Sequence, residues 1–183
     1  MRTERLARTF DIAVHIKQFP LHPDTPAEGL TLEQLFAGRG FDVEAAQERI
    51  AHMMAAEGLA YGYRTHTYNS RLAQELGKWG ESQPGGVAIH DTLFRAYFVD
   101  GTNLADVDRL VEIAAAVGLP EEEARQVLVT RSYRAAVDAD WQRAAELGIT
   151  SVPTFVADNR GVIGAQPYEV LEELAHAVGA VPR

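Results

Sequence analysis

The side chains of this chain that could do chemistry fall in two places. The first is a run of aromatic and basic residues, Tyr61, Tyr63, Arg64, His66 and Tyr68. Three phenols close together can line a small-molecule pocket that Arg64 and His66 join, or they can cap a helical bundle. The second is Gly148-Ile149-Thr150-Ser151-Val152-Pro153-Thr154-Phe155. Pro153 stands directly before a strand and leaves it one amide short. Its position after Val152 is compatible with a cis bond in a tight turn. Ser151 stands outside any Gly-x-Ser-x-Gly elbow and reads as structural.

The rest of the composition closes off most other chemistry. The 183 residues contain no cysteine, so the chain has no thiol, disulfide framework or thiolate metal site of its own. The six histidines, at 15, 22, 52, 66, 90 and 176, show no metal-ligand spacing and read as surface or hydrogen-bonded side chains. No metal and no cofactor is expected. Gly161 and Gly164 lack the third glycine and the strand-to-helix setting of a dinucleotide site. Glu121 to Glu123, Glu172 and Glu173 read as solvated helix faces. Lys and Arg total 17 against 26 Asp and Glu, a net charge of -9, which argues against a nucleic-acid backbone as partner. No apolar run is long enough for a membrane span, and the N-terminus lacks a secretory signal. The cytoplasm is the default compartment, and the length suits one domain with a sizeable insertion.

The elements that must position these residues differ along the chain. The ends read as α/β. A short helix over 3–10 precedes alternating Ile12, Val14 and Ile16, the period of a half-buried strand. Pro20, Pro23 and Pro26 end it. Thr31 to Gln34 fits a capping box, and Asp42 caps a helix running to about Ala56, with Phe41 as a candidate hydrophobic staple. Residues 59–68 read as a loop. A helix capped by Asn69 or Ser70 carries Leu72, Leu76 and Trp79, and Gln83 to Gly86 break it. The next carries Ile89, Leu93, Phe94 and Tyr97 or Phe98. Val107, Leu110, Val111 and Ala114 have core-face spacing. Gly118 is a C-cap, Pro120 opens a helix, and a last long helix covers 132–147. A strand at 153–157, a turn at 158–161, a short strand at 162–163 and a helix from Pro167 to about Val178 complete the chain.

Thr150-Ser151-Val152-Pro153-Thr154-Phe155, followed by Gly164-Ala165-Gln166-Pro167, resembles the C-terminal signature of the DsbA family in its FrnE-type branch. Phe19-Pro20-Leu21-His22-Pro23, Tyr68-Asn69-Ser70-Arg71-Leu72-Ala73 and Leu93 to Phe98 with Asn103-Leu104 resemble three further family segments. The resemblance covers nearly the whole chain. It implies an α/β thioredoxin-like (DsbA-type) fold with a large all-helical insertion: 1–29 and 149–183 form the thioredoxin-like part, and 30–148 the inserted helical domain. It also implies that Pro153 is a cis-proline, and that Val152 holds a bound polypeptide or thiol substrate through its backbone.

Active relatives open with a strand and a Cys-Pro-x-Cys-type motif before the first helix. This chain opens inside that helix, so the implied fold is without its first strand. Thiol–disulfide exchange needs an attacking thiolate. The expected function is therefore that of a DsbA-family oxidoreductase homologue that is redox-inactive in this form, with no catalytic residue. Ser151, Val152, Pro153, Thr154, Tyr61, Tyr63, Arg64 and Tyr68 are the substrate-groove candidates. The alternatives are an isomerase or glutathione-transferase-like enzyme of small aromatic substrates, or a non-catalytic binding module. The related isomerases and transferases use a serine at the point that this chain also lacks. Without the central strand, two sheet edges stand open. Three alternatives follow: the strands close on each other, a second copy completes the sheet as a homodimer, or the natural start lies upstream.

Overall fold

The computed structural model describes residues 2–183. They form two units, one of residues up to Leu21 with Asp140–Arg183, the other of His22–Ala139. Each is built by its own core.

In the first unit the helix α1, Arg2–Thr9, leads into Phe10, which is 1 % exposed. The chain's end returns to it. Phe10 bridges Pro182, and Asp11 N–H and Arg183 N–H donate to Val181 and Thr9 carbonyls. The hairpin β3, Thr154–Ala157, with β4, Arg160–Ile163, turns through Asp158 at φ 52, a left-handed conformation that Asp tolerates. The final helix α9, Tyr168–Ala177, starts from Pro167 and buries Tyr168, Leu171 and Ala175. Its Tyr168 hydroxyl donates to Thr9 Oγ1 at 3.0 Å, and the Arg5 guanidinium stands 3.6 Å from the Tyr168 ring centre. Arg2 donates to the carbonyls of Ala165 and Gln166.

The predicted strand over 12–17 does not form. Residues 12–20 carry no regular structure, Val14 is 49 % exposed, and Ile16 is 37 % exposed. Alternation supplies two faces, but a strand exists only where a neighbour satisfies its amides and carbonyls. No strand among the described residues pairs with this stretch. It is tied at its end instead. Gln18 N–H donates to Asp140 Oδ2 at 3.0 Å, and Lys17 Nζ lies 3.3 Å from Asp140 Oδ1. Asp140 sits on α8, Arg134–Glu146, which runs from one unit into the other.

The second unit is helical. Thr31 caps α2, Leu32–Leu35, through a complete capping box with Gln34. Asp42 Oδ1 accepts from Ala45 N–H at the start of α3, Val43–Ala56. Phe41 stacks on Phe36 at 4.2 Å. The stretch 59–68 contains a two-residue strand that sequence reading placed in a loop. Here β1, Leu30–Thr31, pairs antiparallel with β2, His66–Thr67. Two-residue strands have no period to read. The helices α4, Arg71–Glu81, α5, Ile89–Phe98, α6, Val107–Ala116, and α7, Glu121–Thr130, enclose the core. Leu76, Ile89, Leu110 and Ala114 are fully buried there. Phe94, placed on the core face by its spacing, is 53 % exposed, and Ala96 is buried instead. Pro120 is the N-cap of α7, not its first helical residue.

The junction of α4 and α5 depends on two glycines for space. A Cβ on Gly86 would meet the Gly80 carbonyl oxygen, and one on Gly80 the Ile89 Cγ2, both nearer than real Cβ atoms approach. Gly86→Ala is expected to cost about 1–3 kcal/mol, because backbone cannot yield as a flexible side chain does. Urea unfolding would show the loss as a lower midpoint. An unchanged midpoint would mean that the junction spreads freely.

Candidate functional site

In the first unit the Val152–Pro153 peptide bond is cis. Thr154 Oγ1 donates to the Ser151 carbonyl at 2.7 Å and closes the turn ahead of β3. The Pro153 carbonyl accepts from Gly164 N–H at 2.8 Å. That bond sets the alternation of the hairpin. Phe155 opposite Val162 and Ala157 opposite Arg160 then exchange bonds with β4, while Thr154 and Val156 turn their N–H and C=O groups outward. No strand among the described residues lies on that outward side. Val152, Val156 and Ile163 are 46 %, 44 % and 62 % exposed. The edge is therefore a row of free backbone donors and acceptors in an apolar setting, able to pair with an extended chain.

The second group of candidates lies in the helical unit. Gln47, on α3, organises it. Its Oε1 accepts from Arg64 N–H at 2.7 Å and lies 3.5 Å from the Tyr61 hydroxyl. Tyr61 and Tyr63 meet edge to face at 6.0 Å. The Arg64 guanidinium lies 4.5 Å from the ring centre of Tyr97 and 5.1 Å from that of Phe98, a cation–π arrangement. Its Nε is buried with no hydrogen-bond partner, which costs about 1–3 kcal/mol for an ordinary donor. Burial first, then the charges of Arg39 and Arg64, hold the His22 imidazole below its ordinary pKa. Tyr68 belongs elsewhere: it stacks on His66 at 6.0 Å and lies against Gly29, whose φ of 86 and close approach to the ring both exclude a side chain. The His66 imidazole bonds the Thr65 hydroxyl.

Thus Tyr61, Tyr63 and Arg64 share one locus, Tyr68 stands beside β1 and β2, and Ser151 to Thr154 belong to the other unit. Sequence reading missed Gln47 as a member of the Arg64 group, and placed Tyr97 and Phe98 only on a helix face. No spacing signal joins residues from three separate segments. Asn69 and Asn103 hold the proline-rich connection that carries His22: Asn69 donates to Pro23 and Thr25 carbonyls, and Asn103 to the Ala27 carbonyl.

An α/β unit whose hairpin follows a cis-proline, joined to a helical unit, defines the thioredoxin-like class with a helical insertion. The family model of the DSBA-like thioredoxin domain matches residues 1–175, and the chain belongs to that family. Its fold resembles the crystal structure of a probable DsbA oxidoreductase from Streptomyces coelicolor, with TM-score 0.87 and 33 % identity over 97 % of this chain and 82 % of that one. A candidate protein disulfide isomerase from Nitrosomonas europaea shares the fold at TM-score 0.60 and 17 % identity, over 75 % of this chain and 74 % of that one. The uncharacterized protein YwbO of Bacillus subtilis is 32 % identical over 114 residues, 59 % of this chain. The match spans about half of that protein's length, 54 %. No helix among the described residues is long and apolar enough to cross a membrane.

Proposed function

We propose that this chain is a FrnE-type member of the family that binds extended polypeptide and does not itself exchange disulfides. The outward edge of β3, with unpaired groups on Thr154 and Val156, carries the reading. Its chemistry is strand addition, in which main-chain bonds give affinity and exposed Val152 and Val156 give apolar contact. Redox silence follows from the absence of any cysteine, since no thiolate is available to attack a disulfide. In this reading 1–29 and 149–183 are the binding part, and 30–148 is the inserted helical domain.

Two measurements test it. The purified chain is expected to reduce insulin no faster than a protein-free control, and clear turnover would end the claim of silence. A carboxymethylated unfolded polypeptide is expected to bind, and Val156→Pro to weaken that binding roughly fivefold. That substitution removes an outward donor worth about 0.5–1.5 kcal/mol and leaves the β3–β4 bonds in place. Equal binding by a folded Val156→Pro protein would exclude the edge. A second copy of the chain is the other source of a strand, and a dimer in light scattering that unfolded polypeptide does not compete with would favour it.

A further inference from the structure

We infer that the cleft between α5 and α6 binds a small zwitterion, an amino acid or a short peptide, with its carboxylate on Arg95 and its ammonium on Asp100. The site does not rest on the strand-edge reading, because all its residues lie in the helical unit.

The cleft has a volume of about 400 Å³, within the roughly 300–1,000 Å³ of small-molecule sites. Its floor is apolar. Ala96 and Ile113 are buried there, and the short side chains of Ala96 and Ala116 leave room that longer ones would fill. Arg95, Asp100 and Thr102 line the same cleft. The turn that ends α5 fixes their backbones. Val99 and Asp100 N–H donate to the Arg95 carbonyl at 2.9 and 3.2 Å, and Thr102 N–H donates to the Ala96 carbonyl at 2.8 Å. Gly101, at φ 66, supplies the left-handed residue of that turn.

The polar side chains of the cleft divide into two sets. One set is engaged with the protein. Thr92 Oγ1 donates to the Ala88 carbonyl, and the Asn103 amide donates to the Ala27 carbonyl and accepts from Ala105 N–H. Asp106 Oδ1 accepts from Asp108 and Arg109 N–H at the start of α6, and the Arg109 guanidinium donates to Glu112 at 2.8 Å. The other set is Arg95, Asp100 and Thr102. Among the described residues, none of these three side chains makes a hydrogen bond or an ion pair with the protein. Arg95 and Asp100 thus bring opposite charges into one cleft and do not close on each other.

That arrangement selects the ligand. A simple anion gains at Arg95 and is repelled by Asp100, and a simple cation meets the reverse. A molecule carrying both charges satisfies both at once. The planar fork of Arg95 fits a carboxylate, and the Asp100 carboxylate accepts from an ammonium. The Thr102 hydroxyl can donate to the one group or accept from the other. The apolar floor receives a small aliphatic side chain.

The test is an NMR titration of the labelled chain at constant ionic strength with leucine, leucyl-leucine, leucinamide and N-acetylleucine. Leucine or leucyl-leucine is expected to shift the Asp100 and Thr102 amide signals saturably, with Kd near or below roughly 1 mM. The tighter of the two shows how far apart the site holds the charges. Leucinamide, without the carboxylate, and N-acetylleucine, without the ammonium, are each expected to bind about tenfold more weakly than leucine, the loss of one charged hydrogen bond. Arg95→Gln is expected to weaken leucine about tenfold and to make leucine and leucinamide bind alike. Asp100→Asn is expected to make leucine and N-acetylleucine bind alike. Both substitutions are at exposed residues, and thermal melts would confirm that the variants fold. No saturation by leucine or leucyl-leucine, leucinamide or N-acetylleucine binding as tightly as leucine, or unchanged affinities in the folded variants would each overturn the site.

Discussion

Glu75→Ala is expected to destabilise the protein by about 3 kcal/mol, the low end of the roughly 3–5 kcal/mol for breaking a buried ion pair. Glu75 is fully buried on α4. Arg131 donates to both its oxygens, at 2.7 Å from Nε and 2.7 Å from Nη2, and Arg71 Nε donates at 2.7 Å. Removing the carboxylate leaves two guanidinium groups facing each other at the core's margin. The low end applies because each has some relief: Arg131 is 39 % exposed, and Arg71 keeps Asp138 at 2.6 Å. For a chain of this length the loss corresponds to about 6–12 °C in Tm. Glu75→Leu combined with Arg131→Met is expected to recover at least half of it, since apolar side chains replace a buried pair without an unpaired charge. A thermal melt no lower for Glu75→Ala than for the parent would show that the network contributes nothing.

The same residue gives the stability a pH dependence. Burial pushes the Glu75 carboxyl up, but the bonds from Arg131 and Arg71 outweigh it and hold the carboxyl below its usual value. A group depressed in the folded state adds stability above its unfolded value, about 4.3, and loses it as pH falls through the folded one. Urea unfolding at pH 7 and at pH 3 is therefore expected to show a steeper acid loss for the parent than for Glu75→Gln. Parallel losses would exclude Glu75 as the source.

Leu76→Ala is expected to cost about 2–5 kcal/mol, whereas Phe94→Ala changes stability by no more than about 0.5 kcal/mol. Both follow from position, not from side-chain size. Leu76 is fully enclosed among α4, α5, α6 and α7, so its loss leaves a cavity. Phe94 is the larger residue, yet it is 53 % exposed and removes little area from water. Equal losses in the two variants would mean that Phe94 is covered in solution.

Much of the fold is legible in the residues because its signals are local. The capping box of Thr31, the Asp42 cap, the hairpin turn at Asp158 and Asn159 and the stripe through Leu76 and Trp79 each concern neighbours a few positions apart. Sequence reading also marked Tyr61, Tyr63 and Arg64, since three such side chains stand close in the chain. It did not find the amide and the rings that complete the group, because Gln47, Tyr97 and Phe98 come from distant segments. It also missed Glu75, a residue whose type suits a solvated face and whose burial is possible only because Arg131 arrives from another helix to join Arg71, one turn earlier on α4.

By itself the sequence determined the order of the helices and of the C-terminal hairpin, the absence of a thiol and the family. Tertiary structure alone decided that Ile12 to Ile16 is not a strand and that Phe94 faces outward. The physical reason is the same in each case. Helices close their hydrogen bonds within a few residues and can be read locally. A strand edge, a buried charge and a core face are defined by what packs against them, and that partner is distant in the chain.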